Sequence, residues 1–409
     1  MQTIINQYLH IKGFQANPFA TTNAEQEVDR LPSFFVRLPW FDWLVGEPQH
    51  PESLIVFAPR GYGKTSHRLE VARIASDPQR EHRALAVIFD DVHSLLHQGT
   101  DQVSLENTYL PFLRRKTLQA LKEQLEKQRT YLNVPQPDPE TLARLHALLR
   151  LYAPRRPFSI PADEHDIATL MQEYRNTTLS PREWLREELS VLAARAGFAS
   201  VYVLIDGLDE ASDTREHPDI MLKLLDPLVS APGLLQGCGF AFKFFLPDTL
   251  EQPMHEHNIG RLDRIPHRSF AWDANELMRL FALRLQTFSR EEGSMVSRIN
   301  SFQDVCEATF DVDASMVQAA CCSPRRLIDV ARDIVEKHCE RHGAADKQIG
   351  EETIISVLDM FLPACLLLAA SPNRSTSTRA ANCPIRIFHV ASSQMLPPRS
   401  SSTHTAMYG

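Results

Sequence analysis

The sequence predicts an α/β fold in which a parallel sheet is flanked by helices and carries a helical insertion and a C-terminal helical domain. Three observations lead there. Four short runs, "SLIVFA", "ALAVIFDD", "VYVLID" and "GFAFKFFLP", are almost continuously apolar, as strands buried on both faces of a parallel sheet tend to be. The first run leads into a Gly-rich turn and then a helical pattern. From about Asp273 onward, only helical periodicity remains.

Taken in order, residues 1–50 mix aromatics, Pro and acidic residues without clear periodicity, and are expected to pack on the core. "SLIVFA" (53–58) is the first strand, and "SHRLEVARIA" places Leu69, Ala72 and Ile74 at helical spacing. "ALAVIFDD" (84–91) is the second. The region of about 93–181 is then helical: a charged amphipathic helix, "RRKTLQALKEQLEKQR", and a Pro-punctuated linker, helix and loop. Ser180, Pro181 and Glu183 start another helix as N-cap, first helical position and capping-box acid, and Gly197 ends it. "VYVLID" (201–206) and "GFAFKFFLP" complete the sheet within a unit of about 51–270. Asp273 and Glu276 cap "ANELMRLFALRLQTF", and Ser323 and Pro324 start "RRLIDVARDIVEKH", both with apolar stripes. A helical domain of 271–370 comes next. Residues 371–409 shift to Ser, Thr, Pro and Arg and read as a disordered tail.

The chain has 409 residues, 43% hydrophobic and 23% charged, with a net charge of −8. That excludes neither enzyme nor binding module, but it gives no global basic surface for nucleic acid. Seven cysteines without a CxxC pair fit reduced thiols rather than a zinc site. Adjacent Cys321 and Cys322 read as packing residues. "IISVLDMFLPACLLLAA" is interrupted by Asp359 and Pro363 and falls short of the about 20 residues a spanning helix needs. No membrane partner is expected. The amino-terminal stretch has no leader pattern, so the expected compartment is the cytoplasm.

The turn itself reads "APRGYGKTS", Ala58, Pro59, Arg60, Gly61, Tyr62, Gly63, Lys64, Thr65 and Ser66. A phosphate cradle needs inward backbone N–H groups at a helix N-terminus and glycines that let phosphate approach, here Gly61 and Gly63. In the pattern GxxxxGK[ST], Lys64 reaches the β and γ phosphates and Thr65 ligates Mg²⁺. Ala58 stands where the pattern has its first glycine, and alanine suffices wherever φ stays negative. The expected fold class is therefore a P-loop NTPase binding a nucleoside triphosphate and Mg²⁺, and the loop, which reads phosphates only, does not select adenine over guanine.

Such a loop needs a carboxylate at a strand tip for the metal and another for water. "VYVLIDGLDEASD" offers Asp206 for the metal and Asp209 and Glu210 on the following loop, with Glu210 the first choice for activating water. Asp90 and Asp91, after "ALAVIF", are a rival pair.

"APRGYGKTS" together with "VYVLIDGLDEASD" resembles the STAND and NACHT-like branch of phosphate-loop ATPases, near the AAA+ and origin-recognition-type ATPases. The resemblance covers about Ser53 to Lys337. It implies a polar sensor after the strand "FAFKFFLP", for which Lys243 or Asp248 are weak matches; Lys243 also reads as a surface or strand-edge lysine. It also implies a lid helix at "SPRRLIDVARD" whose Arg325 or Arg326 meets the γ phosphate. Cations in a first helical turn oppose the helix dipole, so another demand selects them. Arg60 or Arg264 could act on a neighbouring subunit's nucleotide. The implied function is an ATP-hydrolysing switch with a protein partner or self-association. A nucleotide-loaded scaffold with little hydrolysis and a DNA-associated ATPase are the alternatives.

Overall fold

A computed structural model of the chain describes residues 1–92, 95, 104–129, 137–154, 158–235, 239–290 and 299–369. Five strands, β1 (Leu54–Ala58), β2 (Ala84–Phe89), β3 (Ser200–Ile205), β4 (Phe240–Pro247) and β5 (His267–Ser269), form one sheet in the order β2-β3-β4-β1-β5. Every neighbouring pair is parallel. The chain is thus an α/β protein with the expected parallel sheet.

Alternation along the strands divides the core between the two faces. Ile55, Phe57, Val203 and Phe242 pack into one cluster with the helices of the insertion, α3 (Leu110–Gln128), α4 (Pro139–Tyr152) and α5 (Glu164–Arg175). Val56, Ala58, Leu204 and Phe245 pack into the other with the amino-terminal segment and the C-terminal helices. Both faces are covered, which is why the strands read as unbroken apolar runs.

Between β1 and β2 runs α2 (Lys64–Ala75), and α6 (Pro218–Val229) follows β3. Ser180 and Glu183 make the expected reciprocal cap, at 2.7 and 3.4 Å, although the helix they start widens into a π turn over Trp184–Leu189. The C-terminal region holds α7 (Ala274–Ser289), α8 (Val312–Ala319), α9 (Pro324–His342) and α10 (Glu351–Ala369). The Asp273–Glu276 capping box is present, and the Ser323 side chain caps α9. Two β elements among the described residues were not expected from the sequence: β5 of the sheet, and a two-stranded parallel ribbon, β6 (Cys306–Glu307) with β7 (Ile349–Gly350), which the helical periodicity hid.

The amino-terminal segment is more ordered than its sequence indicates: α1 (Gln2–Ile11) packs on α9 through Ile5, Tyr8 and Leu9. Lys243 is not at a surface or an edge. It lies in a central strand, 1% exposed, with Nζ 4.6 Å from the centre of the Tyr202 ring. Cys306 and Cys339 are free thiols, but Cys321 is in a disulfide, against the expectation of fully reduced cysteines. Among the described residues no helix is long and apolar enough to cross a membrane. The tail of 371–409 lies outside the described residues.

Candidate functional site

Ala58 is the last residue of β1, and it is absent from the few described non-glycine residues with positive φ, so the corner it turns needs no glycine. Gly61 and Gly63 do take left-handed φ, 85° and 86°. At Gly61 a side chain would also be crowded, because a Cβ would come 3.1 Å from Arg325 Cβ and 3.3 Å from Ser323 Oγ. Gly63 precedes α2, and no side chain caps that helix. Its first N–H groups and the positive end of its dipole are therefore available to an anion.

The two motifs meet across an intervening strand. β3 is separated from β1 by β4, yet Thr65 Oγ1 donates a 2.8 Å hydrogen bond to Asp206 Oδ2. Lys64 Nζ donates to the carbonyls of Ala58, at 3.0 Å, and Pro59, at 3.4 Å, and lies 3.5 Å from Asp209 Oδ2. Asp206 and Asp209 are buried, while Glu210 stays exposed at the rim. The carboxyl of Glu210 is pushed above its ordinary range, first by partial burial and then by the charges of Asp206, Asp209 and Glu25. Gly207 shapes this corner: at φ 79°, a Cβ there would meet the Asp90 carbonyl oxygen at 2.9 Å.

These groups share a cavity of about 350 Å³, within the ordinary size range of small-molecule sites. Arg60, Gly61, Gly63, Lys64, Thr65, Ser66, Asp206, Asp209, Glu210 and Arg325 all line it. Ala58, Pro59, Tyr62 and Arg326 do not. Tyr62 turns away, its hydroxyl donating to the Cys321 carbonyl at 3.2 Å while Trp272 Nε1 donates to the Tyr62 carbonyl at 2.9 Å. The geometry also separates the two arginines that the sequence left equivalent. Arg326 gives its guanidinium to the carbonyls of Ala319 and Phe361, at 3.3 and 3.0 Å. Arg325 stands beside Gly61 and lines the cavity; among the described residues its buried Nε has no partner, as is also true of Arg326 Nε, so the two differ in where the guanidinium ends go.

The remaining candidates fall elsewhere. β2 is the edge strand, three places from β1, and Asp91 is bound at 2.9 Å by Lys116 of α3. Lys243 pairs in register with Leu54, at the end of the sheet opposite the loop, and Asp248 and Arg264 do not line the cavity.

Four contributors escaped the sequence. Thr22, Asn23, Glu25, Leu31 and Phe34 form a strap from the amino-terminal segment along one wall, facing Leu280 and Ile328 of the C-terminal helices. Arg68, 2% exposed, donates from Nε to Asp206 Oδ2 at 3.1 Å and from Nη2 to Glu25 Oε1 at 2.5 Å. Arg284, equally buried, holds Glu27 of the strap at 2.6 and 2.9 Å. Arg215 donates to the Glu210 carbonyl at 3.0 Å and adds another cation to the rim. A spacing signal existed only for Arg68, which lies on the Lys64 face of α2 one turn further on.

No family model matches the chain, and no curated protein matches it. Among solved structures, the chain is similar to the ORC2 protein of Aeropyrum pernix, described as ADPNP–ADP complexes. Identity is 12% with a TM-score of 0.40, over 88% of this chain and 75% of that one. A likeness of that size is too slight to carry a function across.

Proposed function

We propose that this protein is an ATP-binding and ATP-hydrolysing molecular switch that uses Mg²⁺ and whose C-terminal helices close over the nucleotide to control assembly with a protein partner or a second copy. One observation carries the reading: the Thr65–Asp206 hydrogen bond, which joins the metal-binding hydroxyl of a phosphate loop to a strand-end carboxylate in a cavity also lined by Lys64 and Arg325.

The residues fit both ligands. An uncapped helix start and a glycine that a Cβ would crowd suit phosphate. Thr65 and Asp206 are the oxygen donors that Mg²⁺ takes alongside water and phosphate. When bound, the metal supplies charge neutralisation at the β and γ oxygens. Lys64, now resting on two carbonyls and Asp209, would exchange these for phosphate oxygens. Arg325, at the start of α9, would meet the same charge from the lid side, which accounts for a cation where the dipole disfavours one. Glu210 would orient the attacking water and take up its proton, and its raised pKa makes it a better base near neutral pH. Leu31, Phe34, Leu280 and Ile328 offer apolar walls to a base; the choice of adenine rests on the family resemblance of the two motifs.

Purified protein should bind ATP and release phosphate when Mg²⁺ is present. Lys64→Ala should abolish binding and Glu210→Gln should keep binding but lose turnover. Undiminished binding by Lys64→Ala would sink this assignment.

A further inference from the structure

We infer that Glu25 and Arg68 are positioning residues for the metal-side carboxylate, so that the amino-terminal strap sets how strongly Mg²⁺ supports nucleotide binding. This rests on the proposed nucleotide–magnesium function and adds to it a part of the chain outside both motifs.

The geometry is a relay of three side chains. Arg68 emerges from α2 one turn beyond Lys64 and Thr65, so its guanidinium lies on the loop side of the helix. Nε reaches Asp206 Oδ2 at 3.1 Å, the oxygen that also accepts from Thr65 at 2.8 Å. Nη2 reaches Glu25 Oε1 at 2.5 Å. Among the described residues nothing bonds to Asp206 Oδ1. Two donors on one oxygen fix the carboxylate plane and leave the other oxygen for a ligand, the task of groups that stand behind metal-binding side chains.

Burial explains why the relay needs both acids. Arg68 is 2% exposed, and a buried guanidinium is tolerated only when paired and hydrogen-bonded. Its planar fork can hold two carboxylates in fixed directions, which the point charge of a lysine cannot. Glu25, 48% exposed, contributes from the strap. The strap is pinned at a second point, because Glu27 two residues on is gripped by Arg284 of α7. Displacing the strap would leave Arg68 with Asp206 as its one anion. The guanidinium would then swing or pull the carboxylate, in either case disturbing the oxygen left for the metal.

The test separates metal dependence from nucleotide binding as such. A fluorescent ATP analogue is titrated in EDTA and at increasing MgCl2 with the full chain, Glu25→Gln and Arg68→Lys. Thermal melts serve as folding controls. Relative to its own affinity in EDTA, Glu25→Gln should require about ten-fold more Mg²⁺ for the same tightening, the lower end for loss of such a supporting group. Arg68→Lys should shift in the same direction. If Glu25→Gln, folded as the parent, has an unchanged Mg²⁺ requirement, the relay is overturned while the proposed function stands. If the parent chain binds no nucleotide, with or without Mg²⁺, both are overturned.

Discussion

The backbone amide of Arg325 donates a 3.2 Å hydrogen bond to the Gly61 carbonyl, joining the start of α9 to the middle of the loop. Tyr62 makes a second link to the same region through the Cys321 carbonyl. The residue so linked, Cys321, and the next, Cys322, both hold left-handed φ, 50° and 62°, an arrangement that persists only where surrounding contacts impose it. The loop and the start of α9 therefore meet through these contacts, and the Arg325 side chain is delivered to the cavity as a consequence. Arg325→Ala should weaken ATP binding about ten-fold or more, of the order lost with a charged hydrogen bond, and weaken ADP binding less. Arg326→Ala should instead lower the melting temperature with little change in the ratio of the two affinities. Equal ratios for both variants would remove Arg325 from the phosphate.

Gly61→Ala probes the same contact from the loop side. It would force a left-handed alanine and a 3.1 Å approach to Arg325 Cβ, a strain of about 1–3 kcal/mol. The expected result is a parallel loss of melting temperature and nucleotide affinity, measured by thermal denaturation and equilibrium titration. The same change at Gly233, where a Cβ meets nothing within 4 Å among the described residues, should leave both within error.

The raised pKa of Glu210 has a direction in rate. Its carboxyl must be ionised to accept a proton from water, so turnover should fall on the acid side at a pH above that of an ordinary glutamate. Of the three charges that raise it, those of Asp206, Asp209 and Glu25, the last lies outside both motifs, and neutralising it by Glu25→Gln should move that acid limb downward. Steady-state phosphate release from pH 5 to 8 checks it.

The sheet and the loop were legible because each is encoded locally. A strand covered on both faces must be apolar throughout, and the turn from β1 into α2 has its left-handed Gly61 and Gly63 next to Lys64 and Thr65 in sequence. What could not be read was whatever depends on distant pairing. Arg68 looks like an ordinary polar helix residue until Asp206, 138 positions away, is brought against it. Leu31 and Phe34 carry no motif and become cavity wall only when the strap folds across α2 and α7. Arg325 and Arg326 are adjacent and chemically identical. Only the direction each takes from the first turn of α9 distinguishes them.

Lys243 gives a stability prediction independent of nucleotide. Burial lowers its pKa from 10.5 to about 7, so between those values the unfolded chain binds a proton that the folded chain does not. Stability should rise with pH across that window. Below it, the folded state carries a buried ammonium over the Tyr202 ring, with the charge of Glu52 offsetting only part of the cost of burial. Lys243→Met, similar in volume and uncharged, should therefore stabilise the protein at neutral pH by an amount on the order of a few kcal/mol, with the gain vanishing above about pH 10.5. Chemical denaturation at several pH values measures it. A destabilised Met variant at pH 7 would mean that the ammonium has a compensating partner.

His67 makes the loop itself sensitive to acid. Its ring is stacked on Trp40 at 5.2 Å and flanked by Phe35 and Phe270, each at 5.1 Å. Nδ1 lies 2.8 Å from the Gly63 carbonyl, so the neutral ring must carry its proton there. Burial lowers its pKa from 6.5 to about 4, opposed by the Gly63 bond. The unfolded chain therefore takes up a proton first as pH falls, and the stabilisation present above pH 6.5 drains away toward pH 4. Because the acceptor is a loop carbonyl, the fall should appear in nucleotide affinity as well as in melting temperature. His67→Phe should keep the aromatic packing, lose the Gly63 bond and flatten this part of the acid dependence, at the cost of a lower melting temperature at pH 7.5. If melting and affinity of the His67→Phe protein fall between pH 6.5 and 4 as steeply as in the parent, then the carboxylates around Lys64 and Arg68 dominate the acid response and His67 is only a packing residue.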